Sequence, residues 1–136
     1  MIVTDRPELI GPWVCDRAGG KWIAGRGTAI GLMHGEEIIA GVLYEDWNGA
    51  NINMHVAAVP GRKWLNREFL RICFDYPFNQ VGAKRVTGIV PSCNAEAMRF
   101  DLHLGFSLEA TLKDAHPQGD LNILVMRREE CRWLEI

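Results

Sequence analysis

The sequence predicts a mixed α/β fold: a twisted sheet of about six to seven strands with helices on both faces. We expect one domain over residues 1–136. Residues 28–34 and 38–45 are rich in strand-forming residues, and residues 51–59 alternate polar with apolar side chains, which indicates strands. Apolar residues between 65 and 76 then recur at steps of three and four, which indicates a helix. Strands on either side of a helix need a crossover connection, and hairpin patterns near both ends add antiparallel pairs.

Composition limits the function classes. The apolar share of 48% and the charged share of 24% are those of an ordinary globular protein. A net charge of -2 gives no reason to expect a nucleic-acid partner or an anionic membrane surface. No apolar run approaches the length that spans a bilayer, and the N-terminus lacks the layout of a signal peptide. We therefore expect a cytoplasmic protein without nucleic-acid or membrane partners.

Cysteine usage indicates a reducing compartment. The four cysteines are Cys15, Cys73, Cys93 and Cys131. They form no CxxC pair, and no histidine stands at a metal-finger spacing from them, so we expect unpaired thiols and no metal. A carboxylate–histidine cluster at Asp114, His116 and Asp120 lies in a predicted hairpin tip, where a metal site is the minor alternative.

The first half of the chain predicts a helical start followed by a meander. Residues 4–25 are rich in Gly and Pro, so we expect one or two short helices, broken near Gly11–Pro12. Asn48–Gly49 is a strong turn signal between strands. The predicted strands are 28–34, 38–45 and 51–59.

The second half predicts a helix, a strand, a second helix and a hairpin. The first helix should begin near Arg62 and end near Asp75, because Pro77 biases the preceding residue away from helical angles. A strand is expected over residues 85–90. The closing hairpin should pair residues 108–115 with 121–126.

Residues 90–106 form the most informative segment. Asn94 can cap a helix by accepting from a free N–H group of its first turn, and Gly105 suits the left-handed position after the last turn. Ala97, Phe100 and Leu104 fall on one face of that helix. The sequence therefore specifies one well-bounded helix.

This segment resembles the last motif of the GNAT acyltransferases, roughly Asn-x-x-Ala-x-x-x-x-x-x-Leu-Gly-Phe. The order of predicted elements is also similar to that family over about residues 28–128. Residues 74–82 and 127–134 resemble the small GNAT-type proteins of phages and prophages.

The resemblance implies an N-acyltransferase. It would transfer an acetyl group from acetyl-coenzyme A, by direct attack, to a primary amine of a small molecule, a peptide or a protein N-terminus. The alternative is a GNAT-fold binding or accessory protein of phage origin, with weak or lost acetyl-coenzyme A chemistry. The apolar tail Trp133–Leu134 is either a homodimer contact or docks on its own sheet.

In the GNAT family two strands part, and the gap receives the pantetheine arm of the coenzyme. The counterparts here are 51–59 and 85–90, and the helix after the first strand would hold the pyrophosphate. Independently of the family, Arg62, Lys63 and Arg67 are expected in the first turns of this helix, where cations oppose the helix dipole. Either they serve to bind an anion, or their long side chains turn into solvent. The residues expected to contact the coenzyme are Val56, Ala57, Ala58, Val59, Arg62, Lys63, Trp64, Arg67, Asn94 and Phe100.

The phosphate loop departs from the family pattern of Gln/Arg-x-x-Gly-x-Gly/Ala. Of the small residues, only Gly61 is present, and Trp64 and Asn66 stand where small residues should be. Glycine lets the backbone approach a phosphate closely, and these side chains do not. This departure favours the accessory-protein alternative.

His55 is the candidate base, since an imidazole titrates near neutral pH and His55 lies on the polar face of its strand. The alternative is a histidine satisfied by a neighbouring strand or loop. Glu45 could face the same cleft or be a plain turn-flanking charge, and Asn53 could position substrate or a water.

The general acid is not identified by the sequence. Counting from Asn94, the tyrosine that many GNAT enzymes carry is replaced by Asp101. An ionised Asp cannot donate a proton at neutral pH unless its pKa is strongly raised. Either the thiolate leaves unassisted, or another residue such as Tyr44 or Ser92 serves, or the protein is not an efficient acetylase.

Overall fold

The computed structural model describes residues 1–19, 21–63 and 66–135. The helices are α1 (Pro7–Ala18), α2 (Arg67–Asp75) and α3 (Ala95–Leu104). The strands are β1 (Ile2–Val3), β2 (Gly27–His34), β3 (Glu37–Glu45), β4 (Asn51–Ala58), β5 (Arg85–Pro91), β6 (Ser107–His116) and β7 (Gly119–Arg127). They form one seven-stranded sheet in the order β1-β2-β3-β4-β5-β7-β6. The predicted mixed sheet is confirmed, and β1 is an edge strand that the sequence analysis did not foresee.

The helices lie on both faces of the sheet, as predicted. Helix α1 packs across β2, β3 and β4, where its Ile10 and Val14 are fully buried. Helices α2 and α3 cover the other face over a larger core, in which Phe69, Phe74 and Leu104 are almost completely buried. The two cores are separated by the sheet, so a side chain on β4 points into one or the other according to its parity.

The predicted break at Gly11–Pro12 is wrong, because α1 runs through both residues. Packing outweighs the loss of one helical hydrogen bond at Pro12. Gly41 on β3 leaves room for the helix, since a Cβ there would lie 2.8 Å from Cγ2 of Val14. Ile10 fills the equivalent space over Gly31. The helix therefore sits close to the sheet, and that contact holds it together across the proline.

Helix α2 begins later than predicted. Its N-cap is Asn66, whose Oδ1 accepts from the backbone N–H of Phe69 at 2.7 Å, so Arg62 precedes the helix. The α-helix ends at Asp75 as predicted, but the chain continues in a π-helical segment, Tyr76–Val81. Pro77 thus ends the α-helical hydrogen bonding without ending the helical path of the chain.

Helix α3 and the closing hairpin match the predictions. Asn94 Oδ1 accepts from the N–H of Ala97 at 3.1 Å, and Gly105 ends the helix at a φ of 118°. The N–H of Phe106 donates back to the carbonyl of Asp101 at 3.1 Å, which locks the last turn. Strands β6 and β7 pair antiparallel after it.

The remaining fold-level predictions concern cysteines, the tail and membrane spans. All four cysteines are free, and Cys73 is a fully buried core residue. Trp133 Nε1 donates to the carbonyl of Leu104 at 2.9 Å, and Trp133 and Leu134 pack on the larger core, so the tail docks on its own domain. In the part of the chain described here, no helix is both long and apolar enough to cross a membrane.

Candidate active site

Strands β4 and β5 run parallel and part after three paired positions. The pairs are Asn51–Arg85, Ile52–Val86 and Asn53–Thr87. Beyond them the two strands diverge, and each keeps its outer neighbour: β4 stays paired with β3 as far as Ala58, and β5 stays paired with β7 as far as Pro91. The inner edges of residues 54–58 and 88–91 therefore carry peptide groups that have no strand partner.

The parting opens a cleft of about 360 Å³. Its walls are β4 and the residues that follow it, the free end of β5, and the first turns of α3. Side chains on both faces of the sheet reach it, because the gap passes between two strands. The wall residues on the β4 side are Met54, His55, Val56, Ala57, Ala58, Val59, Pro60, Gly61 and Arg62.

His55 lines the cleft near the point where the strands part, and its imidazole is paired with Glu45. Nε2 of His55 lies 2.7 Å from Oε1 of Glu45, and the His55 side chain is only 16% exposed. Register places them together: Glu45 pairs with Asn53 across β3 and β4, and His55 lies next along the same face. A carboxylate held against one ring nitrogen fixes the orientation of an imidazole, which suits a proton-transfer pair.

No family model matches the sequence, and no curated protein matches it either. Solved structures do match in three dimensions. Mutant forms of the spermidine/spermine N-acetyltransferase SpeG from Vibrio cholerae align over 95% of this chain and 95% of theirs, with a TM-score of 0.73 and 11% identity. Another mutant of the Vibrio cholerae spermidine N-acetyltransferase SpeG aligns over 82% of this chain and 70% of its own, with a TM-score of 0.67 and 15% identity.

A structure described as a probable acetyltransferase aligns over 78% of this chain and 64% of its own, with a TM-score of 0.64 and 15% identity. The chain has the GNAT fold. At these identities the comparison establishes the architecture, and the chemistry must be argued from the residues.

The GNAT-fold cleft contains most of the residues predicted to contact a coenzyme. Val56 to Val59 form its β4 wall, and Asn94 and Phe100 line it from α3. Arg62 lines it too, but its guanidinium is paired with Glu37. Lys63 and Arg67 are exposed and do not appear among the described lining residues, and Trp64 lies outside the described residues.

The N-terminus of helix α2 has fewer free donors for a phosphate than an uncapped helix would have. Asn66 already occupies the N–H of Phe69, one of the free donors of the first turn. Gly61, with φ of 77°, is the glycine that the predicted loop retains, and it lines the cleft. The prediction that Arg62, Lys63 and Arg67 share the first turns of this helix is wrong, because two of them precede the cap.

Asn53 lies just outside the cleft, in a chain of polar side chains on β4. Its Nδ2 donates to Oδ2 of Asp46 at 3.4 Å, and its Oδ1 accepts from Nδ2 of Asn51 at 3.1 Å. Asn51 Oδ1 in turn accepts from the hydroxyl of Thr87. The chain ties β4 to β5 at their last paired positions, so Asn53 is placed to hold the narrow end of the cleft in shape.

Arg17 and Asp101 are charged residues of the cleft that the sequence analysis did not include among the site residues. Arg17, in the last turn of α1, lines it and stacks over Trp13 at 4.0 Å from the ring centroid. No sequence signal places α1 beside β4, so Arg17 could not have been found. Asp101 also lines the cleft, and burial raises its pKa to about 7. The sequence located Asp101 by its motif position but could not show its burial.

The two substitutes for the general acid are wrong. Tyr44 is fully buried, and its hydroxyl donates to the carbonyl of Cys73, away from the cleft. Ser92 Oγ accepts from the N–H of Asp120 at 2.9 Å and supports the hairpin. Asp114 is likewise tied to Asp120 by a backbone N–H at 2.9 Å. The described residues contain no group of His, Cys, Asp or Glu side chains suited to a metal ion.

Proposed function

We propose that the chain is an N-acetyltransferase that moves an acetyl group from acetyl-coenzyme A to a primary amine. The observation that carries this proposal is the cleft between β4 and β5, which ends at the His55–Glu45 pair. Unpaired peptide edges at one end and a proton-transfer pair at the other form a site for an extended acyl carrier. Acyl transfer to an amine needs little more than position, a base and a donor for the oxyanion.

The inner strand edges fit the pantetheine arm. An extended chain that carries amide groups can add to an exposed strand edge through main-chain hydrogen bonds. Arg17 and Arg62 line the same cleft and can attract the phosphates of the coenzyme. Arg62 can do so by exchanging Glu37, since an exposed ion pair is worth only about 0–1 kcal/mol.

In the proposed reaction His55 takes a proton from the attacking amine, and Glu45 holds the imidazole ring in place. A main-chain N–H on the free edge of β4 stabilises the oxyanion. The acceptor is a small-molecule or peptide amine. Glu45 adds negative charge beside His55, which suits a cationic amine. Spermidine is a rational first acceptor because the SpeG neighbours are spermidine acetyltransferases.

The second candidate is a GNAT-fold binding or accessory protein with weakened coenzyme chemistry. Asn66 favours it, because this side chain caps the helix end where a phosphate would otherwise bind. The pairing of Arg62 with Glu37 points the same way. This candidate predicts no thiol release with any amine and no stabilisation by the coenzyme.

A thermal shift series and a thiol-release assay separate the two candidates. Acetyl-coenzyme A and coenzyme A, with adenosine diphosphate as the nucleotide control, are added to the full chain. A ligand at about one hundred times its Kd should add roughly 2.7 kcal/mol to the free energy of unfolding. Thiol release is then followed with spermidine, a peptide with a free N-terminus and a simple alkylamine. Stabilisation by both coenzyme A ligands, together with amine-dependent thiol release, supports the enzyme. The absence of both effects supports the binding or accessory protein.

A further inference from the structure

Asp101 stands at the point where the two strands separate. The last pair is Asn53–Thr87, and the first free residues are Met54 and Gly88. A Cβ built on Gly88 would lie 3.3 Å from Oδ2 of Asp101, so the carboxyl group rests directly on this glycine. The absence of a side chain at Gly88 is what lets a carboxyl on α3 reach the narrow end of the cleft.

Asp101 and His55 approach that point from opposite faces of the sheet. His55 is opposite Leu43 in the β3–β4 register, and Leu43 belongs to the core under α1. Gly88 is opposite Leu124, which belongs to the core under α2 and α3. Paired residues in antiparallel strands share a face. A group bound in the gap would therefore have the imidazole on one side and the carboxyl on the other.

The Asp101 carboxyl forms no hydrogen bond or ion pair with any residue in the described ranges. The other titratable groups of the cleft are Glu96 on the same helix, His55 on β4, and the cations Arg17 and Arg62. Burial in the cleft wall raises the pKa of Asp101 to about 7, because it disfavours the charged carboxylate. A large fraction of the protein molecules therefore carries a protonated Asp101 near neutral pH, and this carboxyl can donate its proton.

We propose that Asp101 is the general acid of the acetyl transfer, donating its proton to the sulfur of the departing coenzyme A. The proposal rests on the proposed function. An acid at Asp101 would also explain how a site that lacks a tyrosine at this position can protonate the departing thiolate. The geometry supplies an acid on the face opposite the base, at the apex where the reactive end of an extended carrier arrives.

The proton balance closes within the site. The C–N bond forms as the amine attacks, and the amine proton passes to His55. The C–S bond breaks, and the electron pair left on sulfur takes the proton of Asp101, giving free thiol and the Asp101 carboxylate. Loss of the His55 proton to solvent and uptake of one by Asp101 restore the starting state.

The test compares the full chain with Asp101→Asn, which keeps the shape of the side chain and removes the acid. We expect kcat to fall about 100-fold, the lower end of the usual contribution of general acid catalysis, with little change in KM for acetyl-coenzyme A. The wild-type kcat should also fall as pH rises through the pKa of Asp101, about 7, and the variant should lack this descending limb. Glu129→Gln, an exposed carboxylate outside the cleft, is the matched control and should leave both profiles unchanged.

Each outcome decides something. Equal kcat and equal pH profiles for wild type and Asp101→Asn would overturn the acid role while leaving the acetyltransferase proposal intact. Failure of the wild-type chain to bind acetyl-coenzyme A or release thiol would overturn both. If the variant does not melt cooperatively, the pH profile of the wild type decides alone. A flat kcat from roughly one pH unit below to two units above the pKa of Asp101, about 7, rejects the acid role.

Discussion

Gly88 and Asp101 are in direct contact: a Cβ on the glycine would come within 3.3 Å of the carboxylate Oδ2. The contact joins the end of strand pairing to the one carboxyl that α3 places at the apex of the cleft. It follows that position 88 controls where that carboxyl stands.

Gly88→Ala should lower kcat by about 10-fold with a change in stability below about 1 kcal/mol, because the side chain of Asp101 must shift by a few tenths of an ångström. Steady-state kinetics and chemical denaturation measure the two quantities. The Gly88→Ala/Asp101→Asn double variant should be no slower than Asp101→Asn alone. Additive losses in that cycle would mean that Gly88 acts through something other than the carboxyl.

Asp101 should make the protein less stable as pH rises, the reverse of a paired carboxylate. Burial raises its folded pKa to about 7, above the ordinary value of 3.8 for an aspartic acid, so the native state binds more protons between those pH values. The stability that Asp101 contributes is fully present below pH 3.8 and is lost as pH rises through about 7, on the order of 4 kcal/mol in all. Urea denaturation at several pH values should show that the free energy of unfolding of Asp101→Asn increases relative to that of wild type as pH rises. A difference that stays constant with pH would contradict this.

Removal of the His55 imidazole should cost more than removal of the Glu45 charge. We expect His55→Ala to lower kcat about 100-fold and Glu45→Gln about 10-fold, since the amide can still hydrogen-bond to the ring but stabilises its charged form less. His34→Ala, at an exposed histidine outside the cleft, is the control. If Glu45→Gln proved as damaging as His55→Ala, the carboxylate would take the proton itself.

The Arg62–Glu37 pair should tune coenzyme affinity. Glu37→Gln frees Arg62 and should lower KM for acetyl-coenzyme A about twofold to threefold, whereas Arg62→Ala should raise it by a similar factor, because exposed pairs are worth about 1 kcal/mol or less. Both changes should shrink at high salt. Insensitivity of KM to both substitutions would place the phosphates elsewhere.

The close approach of α1 to the sheet should make Gly31 intolerant of a side chain. A Cβ at Gly31 would overlap Ile10, and Gly31→Ala should cost about 1–3 kcal/mol by overpacking. Ile10→Ala in the same chain should recover part of the loss that Gly31→Ala causes, because it removes the overlapping atoms. Thermal denaturation of the single and double variants measures the effect, and strictly additive losses would show that the two residues do not compete for space.

Local signals were sufficient where a residue and its partner are close in sequence. Asn94 and Gly105 bound α3 through backbone groups within a turn, and Asn48 fixes its turn by accepting from the N–H groups of Ala50 and Asn51. Asn66 was a capping residue in the same sense, but the cations before it drew the predicted helix start too early. Side-chain capping is a short-range effect, so it can be recognised without the fold.

Long-range contacts decided what local signals could not. Pro12 stays inside α1 because Gly31 and Gly41, far along the chain, let the helix approach the sheet. Arg17 reaches the cleft only through that docking.

By itself, the sequence determined the strand segments from β2 to β7, the caps of α3 and the polar face of β4 that carries His55. From these it determined the element order of a mixed sheet. Only the tertiary structure decided that β4 and β5 separate after Asn53, that Glu45 meets His55, and that Asp101 is buried enough to hold a proton near neutral pH. The physical reason is the range of the forces. Hydrogen bonds of turns and caps act between neighbours in sequence, whereas packing and desolvation depend on which distant segments share a face.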